Sequence, residues 1–141
     1  MQRGRRIAFD YGDVRIGVAV CDADGILASP LTTLNNKDKR LKDRLLEILR
    51  EFDPIKLYVG KPSNMDGSSG SSSEKAQLFY GFLATLTNSP IELIDERLST
   101  VSGARTLRDS GVSSKESKSR IDEAAAVAIL EFALSIERNR T

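Results

Sequence analysis

The sequence predicts an α/β domain built on a mixed five-stranded sheet, and three observations carry that prediction. Two short runs near the start, residues 6–10 and 15–21, are rich in Ile, Val and Ala and bounded by turn residues, which marks a pair of strands. Beyond residue 36, stretches with helical spacing alternate with short apolar runs, the pattern of helices packed on a sheet. The chain has 141 residues, 40% of them apolar, which suits one core. A single domain over residues 1–141 is therefore expected.

Each element follows from local chemistry. In the first strand Ile7 and Phe9 share one face, while Ala8 and Asp10 share the other. In the second, Ile16, Val18 and Val20 oppose Gly17 and Ala19. Asp22, Ala23, Asp24 and Gly25 have the composition of a hairpin turn. They lead to a third strand over 26–34, which Pro30 bends or confines to an edge. These three strands form an antiparallel meander.

A helix is predicted over 37–52, with Leu41, Leu45, Ile48, Leu49 and Phe52 at helical spacing, and Asp53-Pro54 stops it. Residues 55–60 then read as a short, buried, parallel strand. The run KPSNMDGSSGSSS is a flexible Gly/Ser-rich loop, a second helix covers 73–87, and residues 91–95 supply the fifth strand. Ser99 or Thr100 caps a third helix ending near Gly111. SGVSSKESKSR reads as polar, basic and mobile. A final helix over 119–138 carries an apolar stripe of Ala125, Ala128, Ile129, Phe132 and Ile136.

Composition excludes several chemistries. There is no histidine, which removes Ser-His-Asp and Cys-His catalysis and His-ligated zinc. The one cysteine, Cys21, cannot form an internal disulfide, and a lone thiol fits a reducing cytoplasm. No apolar run approaches the roughly 20 residues that cross a bilayer, and the acid in IAFDYG spoils a secretory signal. Net charge is +1, from 21 basic and 20 acidic residues, so bulk charge does not announce a nucleic-acid partner; local patches decide that. Any enzymatic chemistry must rest on Asp, Glu, Lys, Arg or an oxygen-ligated metal.

Three acids stand where a sheet-based site would need them. Asp10 ends the first strand, Glu96 follows the fifth, and Asp122 begins the last helix at the head of its apolar stripe. Taken singly, Asp10 is a turn residue, Glu96 a solvated charge and Asp122 a helix-start acid favoured by the dipole. Taken together they suggest a metal site, because converging carboxylates repel and an inward-facing carboxylate needs a cation. Ala8, Gly17 and Ala19 around Asp10, and Ala124, Ala125 and Ala126 after Asp122, leave room for a helix and a ligand. An all-oxygen shell suits Mg²⁺ or Mn²⁺. Two such ions about 4 Å apart can activate water and stabilise the leaving oxygen of a phosphodiester.

The segments FDYGDVRIGVAV, VGKPSNMDGS, DERLST and IDEAAAVAIL, in this order, closely resemble the YqgF family, also called RuvX. The resemblance spans almost the whole chain. It implies an RNase H-like fold similar to the Holliday-junction resolvases. It also implies a nuclease that resolves such junctions or matures the 5′ end of pre-16S rRNA. By position, the family's acidic triad falls on Asp10, Glu96 and Asp122, as metal ligands for Mg²⁺ or Mn²⁺. Where Lys61 and Ser63 stand, the family usually has apolar residues.

The expected partner is structured RNA or branched DNA. Arg15, Lys61, Asn64, Arg97, Ser99, Thr100, Lys115, Lys118 and Arg120 are the candidate substrate contacts, with Arg105 and Arg108 further along the same basic stretch. Tyr11, Tyr58 and Tyr80 are scattered and tryptophan is absent, which favours recognition of shape and backbone over base reading. Cutting both strands of a junction takes two active sites, so a homodimer would favour that role. Two other functions are compatible with parts of the sequence. A relative of the actin-like ATPases would share the DxG hairpin, but that architecture uses two such domains. A non-catalytic nucleic-acid or ribosome-binding module would share the fold alone.

Overall fold

A computed structural model describes residues 1–61, 71–95 and 115–140 of the chain. Five strands, β1 (Arg6–Tyr11), β2 (Arg15–Cys21), β3 (Ala28–Asn35), β4 (Lys56–Lys61) and β5 (Ile91–Asp95), form one sheet in the order β3-β2-β1-β4-β5. The first three pair antiparallel as the predicted meander, and β4 and β5 add in parallel. Among the described residues three helices pack on it: α1 (Leu41–Phe52), α2 (Ser71–Ala84) and α3 (Lys115–Asn139).

The alternation in the strands divides the molecule into two cores. Ile7, Phe9, Ile16, Val18, Leu57 and Val59 point to one face and bury Leu45, Ile48 and Leu49 of α1 with Ala76, Phe79 and Leu83 of α2. Ala8, Ala19, Cys21, Tyr58 and Ile94 point to the other, where α3 covers them with Ala125, Ala126, Ile129, Leu130, Ala133 and Leu134. Alanines on both sides of this second interface allow close approach. Phe79 stacks edge-on against Phe9 at 5.5 Å and lies 4.8 Å from Tyr11, which ties α2 to the outgoing end of β1.

Several boundaries move from their expected places, each for a local reason. The first helix starts at Leu41 rather than residue 37, because the Asp38 carboxylate accepts the Arg40 N–H at 2.9 Å and Arg44 Nε at 2.7 Å, holding a turn there. It ends as expected, with Asp53 in the left-handed region at φ 43° and its N–H on the Leu49 carbonyl. The third strand begins at Ala28, since the Asp22 carboxylate accepts the N–H groups of Ile26 and Leu27 and keeps both in the turn. The Ile26 and Leu27 side chains are left exposed in that turn. The second helix runs over Ser71–Ala84 instead of 73–87.

The largest corrections concern the last helix. It begins at Lys115, four residues before the expected start, so KESKSR is helical rather than mobile. Asp122 is consequently the eighth residue of α3, too deep for the helix-start explanation. The buried stripe is also rotated from the expected one: Ala125 and Ile129 belong to it, while Ala128, Phe132 and Ile136 flank it half-buried. Its true course is 122, 125, 126, 129, 130, 133 and 134, with the half-buried Glu137 just beyond it, so an acid stands at each end. The expected helix of residues 99–111 and most of the 61–73 loop lie outside the described residues.

At the end of α3 remote from Asp122, Glu137 meets a fully buried arginine. Arg6 donates to Glu137 from Nε at 3.2 Å and from a terminal nitrogen at 3.1 Å, and its other bonds go to the Gly4 and Gln2 carbonyls. The Tyr58 hydroxyl donates to the same carboxylate at 2.6 Å. Burial pushes the Tyr58 hydroxyl far up, so it stays protonated and donating. For Glu137, burial acts to raise its pKa, but the Tyr58 and Arg6 hydrogen bonds outweigh it and hold the group below its ordinary value of 4.5. A lowered folded pKa stabilises the protein fully above the unfolded value and less as pH falls through the folded one. The stability advantage of wild type over Glu137→Gln, measured by thermal melts, is therefore expected to shrink below about pH 5.

Candidate functional site

β1, β4 and β5 run parallel, so their outgoing ends lie along one edge of the sheet, where α/β proteins commonly place ligands. Asp10 sits at the end of β1 and Lys61 at the end of β4, the latter in register with Asp95 of β5. Asp10 points to the α3 face, as its alternation with Phe9 requires, and is 1% exposed. Its register partner on β2 is Gly17, and Gly17's partner on β3 is Thr33. The row Asp10, Gly17, Thr33 therefore crosses three strands beneath α3.

Gly17 is what lets the helix down onto this row. A Cβ built there would lie 2.0 Å from the Asp122 carbonyl oxygen and 3.1 Å from the Glu123 nitrogen. The helix backbone thus rests on the bare glycine, and Asp122, also 1% exposed, is carried to the strand pair that holds Asp10. On the far side of Gly17, the Thr33 hydroxyl is shared at 3.0 Å between the Ser119 carbonyl and the Glu123 carboxylate. These contacts fix the rotation of α3 about its axis over the sheet edge.

The hairpin between β1 and β2 is held separately. Asn36 donates through Nδ2 to the Gly12 carbonyl at 2.7 Å, and Lys75 of α2 pairs with Asp13 at 2.9 Å. Asp13 is exposed and acts as a turn residue, as its position in DYGD suggested. Arg15, the first residue of β2, reaches back beneath α3 and donates through Nε to Asp122 Oδ2 at 2.7 Å. A groove of about 410 Å³ opens beside this pair, lined by Val14, Arg15, Thr33, Leu34, Asn35 and Ser119.

Of the residues anticipated for the site, the structure brings together Asp10, Asp122 and Arg15, with Lys61 on the same sheet edge. Lys118 is half-buried and Arg120 exposed, both in the first turns of α3. Glu96, which directly follows the last residue of β5, lies outside the described residues, as do Asn64, Arg97, Ser99, Thr100, Arg105, Arg108 and the side chain of Lys115. Among the described residues no three acidic or cysteine side chains converge as a cation cage. Cys21 is at the other end of β2, where it accepts the Arg6 N–H, and burial pushes its thiol up. The donor set at the sheet edge is thus all oxygen. Thr33 and Glu123 were not anticipated. Glu123 adjoins Asp122 in IDEAAA, but the role of Thr33 has no local signal because it depends on pairing between β2 and β3.

A mixed five-stranded sheet of this order, with a long helix packed across β1–β3, is an RNase H-like fold. Solved Thermus thermophilus RuvC structures share it. The one described as a complex with Holliday junction substrate matches at TM-score 0.56 and 18% identity, over 95% of this chain and 96% of that one. A second RuvC structure matches at TM-score 0.53 and 17% identity, over 96% of each chain. The chain belongs to the RuvX family, described as Holliday junction resolvase, whose model matches residues 4–136. A Streptomyces coelicolor relative named "Putative pre-16S rRNA nuclease" is 46% identical over 98% of this chain and 84% of its own length. One of the same name from Streptomyces avermitilis is 46% identical over 98% and 90%. Among the described residues no helix is long and apolar enough to cross a membrane.

Proposed function

We propose that this chain is a Mg²⁺- or Mn²⁺-dependent endonuclease that hydrolyses phosphodiester bonds in structured nucleic acid, processing the 5′ end of pre-16S rRNA. The observation that carries the reading is the placement of two buried acids around Gly17, with Asp10 as its strand partner and the Asp122 backbone directly over it. Burying a carboxylate costs several kcal/mol unless cations offset it. The donors that Asp10 and Asp122 offer are all oxygen, which suits a hard divalent cation. Asp10, Glu96 and Asp122 would hold it. When bound, such an ion polarises the phosphate and lowers the pKa of the attacking water.

The chain's own residues do the rest. Gly17 and Thr33 set the height and rotation of α3, and so the position of Asp122 relative to Asp10. Arg15, Lys61, Asn64, Arg97, Ser99, Thr100, Lys115, Lys118 and Arg120 would contact the nucleic-acid backbone, positioning it without reading bases. The names of the Streptomyces relatives support an rRNA precursor as substrate. The family's description supports the second reading, cleavage of branched DNA by a homodimer.

The test is cleavage of a pre-16S rRNA fragment and of a four-way DNA junction, each with and without Mn²⁺. Asp10→Asn, Glu96→Gln and Asp122→Asn are each expected to lower cleavage by more than about 100-fold, beyond the cost of losing a supporting residue. Faster cutting of the RNA supports the first reading and faster cutting of the junction the second. Full activity in two of the three variants would remove the triad, and no Mn²⁺-dependent cleavage of either substrate would leave a binding module.

A further inference from the structure

The mechanism above uses Arg15 only as one of nine backbone contacts, yet its geometry is unlike that of a surface arginine. Its side chain is 21% exposed and lines the groove, while Asp122, to which it donates at 2.7 Å, is 1% exposed. The guanidinium therefore spans the boundary between a solvent-open groove and the buried acids. The pair joins residues 107 apart in sequence. Nothing in the hairpin requires the guanidinium to stay there: Asn36 and Lys75 secure residues 12 and 13. Arg15's neighbours along the groove are Val14, exposed, and Asn35, whose Oδ1 accepts the Lys37 N–H.

A cation ligated by Asp122 and the Arg15 guanidinium compete for the same carboxylate. Two positive groups within a few ångströms repel strongly when water is excluded, so binding of one weakens the hold of the other. Resting on the metal-site reading given above, we propose that Arg15 is a displaceable counterion. Without metal it neutralises Asp122; when a divalent cation takes that carboxylate, the guanidinium turns into the groove and holds a backbone phosphate of the nucleic acid. The planar fork of arginine suits both carboxylate and phosphate, so the same group serves in turn as partner to each. Metal and nucleic acid then bind cooperatively, and linkage makes the effect reciprocal.

The experiment measures Mn²⁺ affinity of the full chain by calorimetry, with and without a short RNA duplex. Arg15→Gln, in the absence of RNA, is expected to bind Mn²⁺ at least about tenfold more tightly than wild type, the effect of one close charge. RNA should strengthen Mn²⁺ binding by the wild type and leave that of Arg15→Gln unchanged. Arg15→Lys, which keeps the charge on a shorter reach, should fall between them, and it carries the test should the glutamine variant fail to fold. If the wild type binds Mn²⁺ and the variants bind it equally or more weakly, Arg15 is a fixed positioning residue and the displacement is wrong, while the metal site stands. If neither wild type nor variants bind Mn²⁺, the metal-site reading falls and takes the displacement with it.

Discussion

Gly17→Ala is expected to destabilise the protein by about 3 kcal/mol, the upper end of overpacking costs, and to abolish cleavage in whatever fraction remains folded. The added methyl group would sit 2.0 Å from the Asp122 carbonyl oxygen, a backbone atom that cannot rotate away. Relief requires α3 to rise from the sheet by more than an ångström. That lift would loosen the alanine contacts between α3 and β1–β2 and draw Asp122 away from Asp10. Urea denaturation measures the first effect and cleavage of the rRNA fragment the second. Gly81→Ala is the control: it lies in the last turn of α2 with nothing within 4 Å of an added Cβ. There, alanine should stabilise by roughly 0.5–1 kcal/mol through helix propensity, with cleavage unchanged. Equal stabilities for Gly17→Ala and wild type would show that the helix does not rest on the strand at this point.

Glu137→Ala is expected to cost about 3–5 kcal/mol, because it leaves a fully buried guanidinium without its anion. Arg6 would retain the Gly4 and Gln2 carbonyls, which satisfy two of its N–H groups but none of its charge. The Tyr58 hydroxyl would lose its acceptor as well. Chemical denaturation of the single variants and of Arg6→Met with Glu137→Leu separates charge from packing. The double variant should recover most of the loss, since apolar groups of similar volume commonly replace a buried pair without penalty. A double variant no more stable than Glu137→Ala would place the cost in packing instead.

These two positions mark what could and could not be read from the chain. The strands and their two faces were legible because large and small side chains alternate strictly in IAFD and IGVAV. The approach of Asp122 to Asp10 was legible for the same reason, through the small residues around each. The start of α3 was not: KESKSR presents no apolar stripe and begins among serines, so periodicity is silent there. Nor was the burial of Arg6, which sits in a run of three other N-terminal basic or polar residues and looks like surface charge. Its partner is 131 residues away, and only the assembled sheet shows that β1 and the end of α3 meet. The Arg15–Asp122 pair escaped for the same reason: local patterns carry no information about which distant charges will coincide.

Among the described residues, α3 is the helix that packs on the second face of the sheet, and it is made after all five strands. A nascent chain that has emerged only through β5 can build the α1–α2 core, because every strand and helix of that core precedes residue 96. Its other face still exposes Ala8, Ala19, Tyr58 and Ile94 to water, and Asp10 has no Asp122. Cover and acid arrive together, in one helix, only after every strand of the sheet has been made. Unfinished chains are therefore both incomplete at the acid site and marked by an open apolar face that chaperones and proteases recognise.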